Sequence, residues 1–397
     1  MNIGIFTDCY YPQINGVVTS VMILRDELVK RGHKVTIITV KVPGHQDEEE
    51  DIIRIPSLPF ARWKEFRVAV PLFARAYRRV KKLDLDVIHT HTEFSIGLFG
   101  KYMARALSIP VLHTYHTMYE DYTHYVLNFK PGKRVVKKLI IRGSKVYVKK
   151  FNALIAPSAK TKEALERYGV KNRIFVLPTG INIQNFQRTS PDHPRIQEIR
   201  RQLGLTPENR VILSLGRVSE EKNVQLTLRQ FAFLQKTHPH VRLVVVGDGP
   251  YREKLVQLHR ELGLEDVVRF TGSVPWEEVS YYYSMADLFV SASSTETQGL
   301  TILEAMASRL PVVVFEDENI RDVVVHGLSG HLFQDGEGLL KALGSALDNQ
   351  EFTSHMADNA YAIVQSMSKE HFGESALQIY KTLIDEYASR NTCTLEE

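Results

Sequence analysis

Apolar positions along the chain fall in short β-rich runs, separated by longer stretches where they recur every three or four residues. In the first half the runs are NIGIF, KVTIITV, DIIRIP, DVIHTH, PVLHTYH, ALIAPS and IFVLPTG. Their β-branched content, and the Pro, Gly or Asp that bounds most of them, predict strands. Between the first two, GVVTSVMILRDELVKRG carries apolar residues at helical spacing and stops at a glycine. The second half repeats the pattern with RVILSLG (210–216), VRLVVVGDG (241–249), VVRFTGSV (267–274), ADLFVSAS (286–293) and PVVVFED (311–317). Strands alternating with helices predict parallel sheets covered on both faces, an α/β fold.

A chain of 397 residues exceeds one ordinary domain, so two are expected. The polar, turn-rich stretch PTGINIQNFQRTSPDHPRIQ (178–197) is the natural boundary. The division becomes 1–185, 186–368 and a terminal segment 369–397. That segment contains an amphipathic helix, FGESALQIYKTLIDEYAS, expected to pack back on the N-terminal domain. The opening MNIGIFTDCYYP lacks a basic n-region and reads as a first strand rather than a signal peptide. No run reaches the roughly 18 apolar residues of a spanning helix. The two cysteines, Cys9 and Cys393, form neither a disulfide framework nor a zinc pattern, which suggests a reducing compartment.

Net charge is only +4, but its distribution is uneven. Residues 60–82 hold eight basic residues and one acid, and residues 130–150 hold nine and none. Both clusters interleave cations with apolar residues, among them Trp63, Phe66, Leu72, Leu139 and Ile140. Such segments suit an anionic membrane surface. The expected contacts are Arg62, Lys64, Arg67, Lys133, Arg134, Lys137, Lys138 and Arg142. A nucleic-acid groove is the rival, without a recognised motif to support it; the plain alternative is a solvated helix face.

In open α/β sheets ligands bind beyond the carboxyl ends of the strands, and several unusual residues fall there. After the first strand, Asn15-Gly16 opens a helix where backbone N–H groups could receive an oxyanion, or it is simply a strand-to-helix turn. In GRVSEEKN (216–223), Arg217 and Lys222 straddle a turn and suit a diphosphate. SASSTETQGLTILEAMA places Gly299-Leu300-Thr301 at a helix start, a site for phosphate. Glu304, one turn in, is placed to accept from two vicinal hydroxyls such as a ribose presents, and Glu296 to reach a hydroxylated group beyond the phosphates. An exposed loop acid and a solvent-facing helix residue are the plain alternatives. LHTYHTMYEDYTHYV (112–126) gathers His113, His116, His124, Glu120 and Asp121. Strand alternation sends His113 and His116 to opposite faces, which argues against a shared metal. His116 could orient a hydroxyl or stabilise charge on a sugar.

Taken in order, NGVVTSV, HTEFSIGLFG, HTYHTMYEDYTHY, PTGIN, GRVSEEKN, VVVGDGP and STETQGLTILEA resemble retaining glycosyltransferases of the GT-B fold. That fold sets two Rossmann-like domains facing across a cleft. Within it the chain most resembles the α-monoglucosyldiacylglycerol synthases, bacterial enzymes that move glucose from UDP-glucose to diacylglycerol. The resemblance covers roughly the whole chain, and ETQGLTILE matches the family's E-x7-E motif. It implies that Glu296 holds donor-glucose hydroxyls, Glu304 the ribose, and Arg217 and Lys222 the diphosphate. Gly16 would lie under the phosphates, with Gly299, Leu300 and Thr301 completing the donor site. His116 matches the family histidine that contacts the donor sugar. Asp248 and Gly249 would lie near the nucleotide, and Ser273 and Val274 would line the base. It further implies no cofactor and no metal, with UDP-glucose as substrate and a peripheral place on the cytoplasmic face of the membrane. The acceptor is diacylglycerol, or glucosyldiacylglycerol receiving a second hexose. A non-catalytic lipid- or nucleic-acid-binding protein is the alternative of a different class.

Overall fold

The structure is a computed structural model that describes all residues except 14, 46–50, 61–62, 71–72, 117–140, 297, 322 and 394–397, and, as side chains, also except 60, 63–66, 73 and 390–393. The chain forms two units, Met1–Gly180 with Lys369–Glu397, and Ile181–Ser368. The division falls at Gly180/Ile181 rather than at 185. Ile181 already pairs with Ser368 and lies in the second unit's core with Phe186.

The first unit is built on a parallel sheet of order β3-β2-β1-β6-β7-β8-β9. Its strands are β1 (Asn2–Phe6), β2 (Lys34–Val40), β3 (Ile52–Ile55), β6 (Val87–Thr90), β7 (Val111–Thr114), β8 (Ala153–Ala156) and β9 (Arg173–Val176). β1 and β2 carry apolar residues on both faces because both are covered. Ile3, Ile5, Val35 and Ile37 pack on one side with α1 (Gly16–Lys30) and the terminal helix, whose Phe372, Ala376, Ile379, Tyr380 and Leu383 join that core. Phe6, Ile38 and Val40 pack on the other side with α2 (Phe73–Lys81) and α3 (Ser95–Leu107). The terminal helix, Lys369–Cys393, lies along α1.

The first basic cluster is not one amphipathic segment. Ser57–Phe60 (β4) and Trp63–Ala69 (β5) form an antiparallel hairpin, and the helix begins only at Phe73. The β-branched and aromatic residues of WKEFRVA suit a strand, and Pro71 stands between it and the helix in the sequence.

The second unit has a parallel sheet of order β12-β11-β10-β13-β14-β15. Its strands are β10 (Arg210–Leu215), β11 (Val241–Val246), β12 (Val268–Gly272), β13 (Leu288–Ser291), β14 (Val312–Phe315) and β15 (His331–Phe333). β10 sends Val211 and Leu213 into one core and Ile212 into the other. The loops at the carboxyl ends of β10, β11 and β13 carry the residues of interest.

Candidate active site

In the second unit, β10 ends at Leu215 and Gly216 turns the chain with φ +146. β11 ends beside it in Gly247-Asp248-Gly249. The two loops interlock: Val218 N–H donates to Asp248 O at 3.0 Å and Tyr251 N–H to Val218 O at 3.1 Å. A Cβ on Gly247 would fall 1.9 Å from Gly216 O, and one on Gly249 2.3 Å from Val218 O. Asp248 and Gly249 therefore have a structural task, holding the loop that carries Arg217.

The same loop meets the helix that follows β13, α4 (Leu300–Ala307), since a Cβ on Gly216 would lie 3.9 Å from Thr301 Cγ2. Gly299 caps α4 with φ +72, a conformation suited to glycine, and its backbone lies against Ile320 and Ile302. Leu300 and Thr301 open α4, where N–H groups lack intrahelical acceptors. Arg217 is exposed at the strand end, next to the residue that touches the helix.

Lys222 Nζ donates to Glu296 Oε1 at 2.6 Å. The carboxylate side chain is 11% exposed and the ammonium side chain 30%. Burial pushes Glu296 up, but the charge and hydrogen bond of Lys222 outweigh it and hold the acid below its ordinary value. The Glu296 backbone is fixed as well, its carbonyl accepting from Asn319 Nδ2 at 2.6 Å. Glu304 is buried, not solvent-facing. Tyr283 O–H donates to Glu304 Oε2 at 2.8 Å, and burial raises the acid to about 7. Val274 packs against the core of this unit while Ser273 is exposed.

In the first unit, β1, β6 and β7 are neighbours, and their carboxyl ends collect polar groups. Asn15 caps α1, its Oδ1 accepting from Val17 and Val18 N–H at 3.0 Å each. The anion-binding expectation at this tip is narrowed, because two of the donors are already engaged. Gly16 remains the residue at the opening. Asp8 is buried and caps α3 from the neighbouring strand. It accepts from Thr92 Oγ1 at 2.6 Å, Ile96 N–H at 3.0 Å and Gly97 N–H at 3.4 Å. Burial raises its pKa.

Histidines form the rest. His113 and His116 do part to opposite sides. His113 meets Thr90 Oγ1 at 2.8 Å and Glu93 at 3.2 Å, whereas His116 Nε2 lies 2.9 Å from His91 Nδ1. His89 is pinned at both nitrogens, by Tyr380 O–H and Thr114 Oγ1, each at 2.7 Å. Burial, with His113 nearby, pushes His116 down to about 3, and burial holds His89 and His91 well below their ordinary value. These rings are neutral at pH 7. No metal-holding cluster occurs among the described residues.

His89, His91, Asp8 and Tyr283 were not singled out in the sequence. The alternation in DVIHTH, which puts two histidines on one face at a strand end, is the signal that could have found the first two.

Of the basic residues, Arg62, Lys133, Arg134, Lys137 and Lys138 lie outside the described residues, as does the side chain of Lys64. Arg67 is held by its own hairpin and by the chain just after β2. Its Nε donates to Lys41 O at 3.0 Å and Ser57 Oγ at 2.8 Å, and Nη2 to Ser57 O at 2.8 Å. Arg142 is exposed. Arg75, Arg78, Arg79, Lys81 and Lys82 line one open groove at α2. Among the described residues no helix is long and apolar enough to cross a membrane.

Residues 195–363 match the family Glycosyl transferases group 1, and residues 14–185 match Glycosyltransferase Family 4. The alpha-monoglucosyldiacylglycerol synthase of Streptococcus pneumoniae is 40% identical over 96% of this chain and 85% of its own length. That of Acholeplasma laidlawii is 36% identical over 97% and 98%. Among solved structures, Anabaena HepE in complex with UDP-glucose superposes with a TM-score of 0.79 at 20% identity, covering 96% of this chain and all of that one.

Proposed function

Because the chain belongs to the family of the alpha-monoglucosyldiacylglycerol synthases, glycosyltransferases of the GT-B fold, we propose that it transfers glucose from UDP-glucose to 1,2-diacylglycerol with retention of configuration. The contact of Lys222 with Glu296 at 2.6 Å carries the reading for the donor. It sets a cation suited to phosphate against an acid suited to sugar hydroxyls, in the unit that also holds Glu304 one turn into α4.

Breaking the anomeric bond leaves negative charge on the diphosphate and positive character on the sugar. Fixed donors that meet the leaving charge lower the barrier. Arg217, Lys222 and the first N–H groups of α4 would supply them, so the reaction would need no divalent metal. Glu304 would hold the ribose hydroxyls as an acceptor, a role that requires its ionised form. Glu296 would accept from the glucose hydroxyls, and His116 would contact the same sugar. The acceptor hydroxyl would attack from the face the diphosphate leaves, giving its proton to a donor phosphate oxygen.

The enzyme would work as a peripheral protein on the cytoplasmic face, with the basic groove of α2 against anionic lipid. Purified protein given labelled UDP-glucose and diacylglycerol in anionic vesicles should form an α-linked monoglucosyl lipid, identified by the anomeric proton coupling, in the presence of a chelator. Label appearing only in a diglycosyl lipid made from added glucosyldiacylglycerol, or only on a soluble acceptor, would overturn the assignment.

A further inference from the structure

His91 is absent from the mechanism above, yet its placement is specific. It is 2% exposed, follows β6, and its ring sits 4.0 Å from that of His89. His89, fixed at both nitrogens, gives that packing a rigid base. His91 Nδ1 lies 2.9 Å from His116 Nε2, while His91 Nε2 is buried without a hydrogen-bond partner among the described residues.

Both rings being neutral, two protons occupy four nitrogens, and one of them lies in the shared hydrogen bond. If His91 donates it, His91 Nε2 is bare and His116 must carry its own proton on Nδ1. If His116 donates it, His91 buries an unpartnered Nε2–H and His116 Nδ1 is a bare acceptor. Buried N–H groups without an acceptor are rarer in proteins than unused acceptors, so the first arrangement is favoured.

We infer that His91 is a positioning residue: by donating Nδ1–H to His116 Nε2 it fixes His116 in the Nδ1–H tautomer, presenting a donor rather than an acceptor on that ring's remaining nitrogen. This rests on the reading of His116 as a contact to the transferred sugar. A donor there meets a sugar or phosphate oxygen, and an acceptor would repel the oxygen lone pairs. Without His91 the His116 ring can turn or take the other tautomer, and the competent form is diluted.

The test separates tautomer from activity. Protein labelled with 15N-histidine is observed through long-range imidazole couplings, and kcat and KM for UDP-glucose are measured in the same variants. The wild type should show His116 protonated on Nδ1 and bare on Nε2. In His91→Phe, which keeps a ring but no donor, His116 should lose that state and kcat should fall about ten-fold or more, with KM changed less. In His91→Asn, whose amide can donate from near the Nδ1 position, the tautomer should return and kcat should recover to within about three-fold. UDP binding by calorimetry verifies folding in each. An Nε2–H tautomer of His116 in the wild type overturns the inference. So does an equal loss of kcat in both variants. If His116→Ala leaves kcat unchanged, the reading of His116 fails on its own, and the tautomer result stands apart from it.

Discussion

Glu304 concentrates the chemistry of the proposed donor site in one side chain. Burial raises its pKa from 4.5 to about 7, so the folded protein holds a proton there that the unfolded chain has lost. Stability from this group is therefore complete below the unfolded value and declines as pH rises through the folded one. Ligand-free Glu304→Gln should be more stable than wild type at pH 8, by about 2 kcal/mol, with the gap closing near pH 5. Urea melts at both values would show it. Under the proposed ribose contact binding runs the other way, because the carboxylate is the stronger acceptor for hydroxyls. UDP affinity by calorimetry should rise about ten-fold from pH 6 to pH 8 in wild type and stay flat in Glu304→Gln. Lys222→Met leaves the buried Glu296 unpaired, and should lower kcat about 100-fold or more while destabilising the protein by about 3 kcal/mol. At this scale the sequence was informative where residues sit in one loop. E-x7-E and the helix start within it were both readable. Tyr283 was not, because its contact with Glu304 joins two separate helices and leaves no local trace. The same holds for Asp8, which is separated by 88 positions from the Ile96 N–H it accepts.

Strand-end loops decide how the elements position those side chains. The family resemblance implies that the GDG turn lies near the nucleotide, and the fold itself also needs its glycines because two backbones nearly touch. Gly249→Ala should force the turn from Val218 and destabilise the second unit by about 2–4 kcal/mol. UDP affinity should fall with it, and both follow from one thermal-shift series with and without UDP. A loss of affinity at unchanged melting temperature would show a direct contact instead. Most strands were legible because a parallel strand buried on both faces is a continuous apolar run. The hairpin at 57–69 leaves little local signal, because the apolar residues of WKEFRVA fall at 63, 66, 68 and 69 without strict alternation. β15 is only His331–Phe333, too short to show a pattern.

On the scale of the whole molecule, charge is local rather than global. The net value of +4 conceals the groove of Arg75, Arg78, Arg79, Lys81 and Lys82 on α2. Reversing Arg78 and Arg79 to Glu should weaken flotation with anionic vesicles at least ten-fold, and the wild-type binding should fall as salt rises. UDP affinity should not change. The terminal helix packs on the first unit, as its amphipathic pattern led one to expect, but its individual partners depend on packing that no local pattern encodes. Its Tyr380 reaches His89, and Arg31 reaches the Glu370 carbonyl at 2.7 Å. This helix completes the first unit from beyond residues 181–368, which belong to the other. A nascent chain therefore emerges from the ribosome with Ile5, Leu24 and Leu28 still uncovered. At about 5–20 residues per second, the intervening unit alone adds some ten to forty seconds before their lid is made, long enough for a chaperone to engage them.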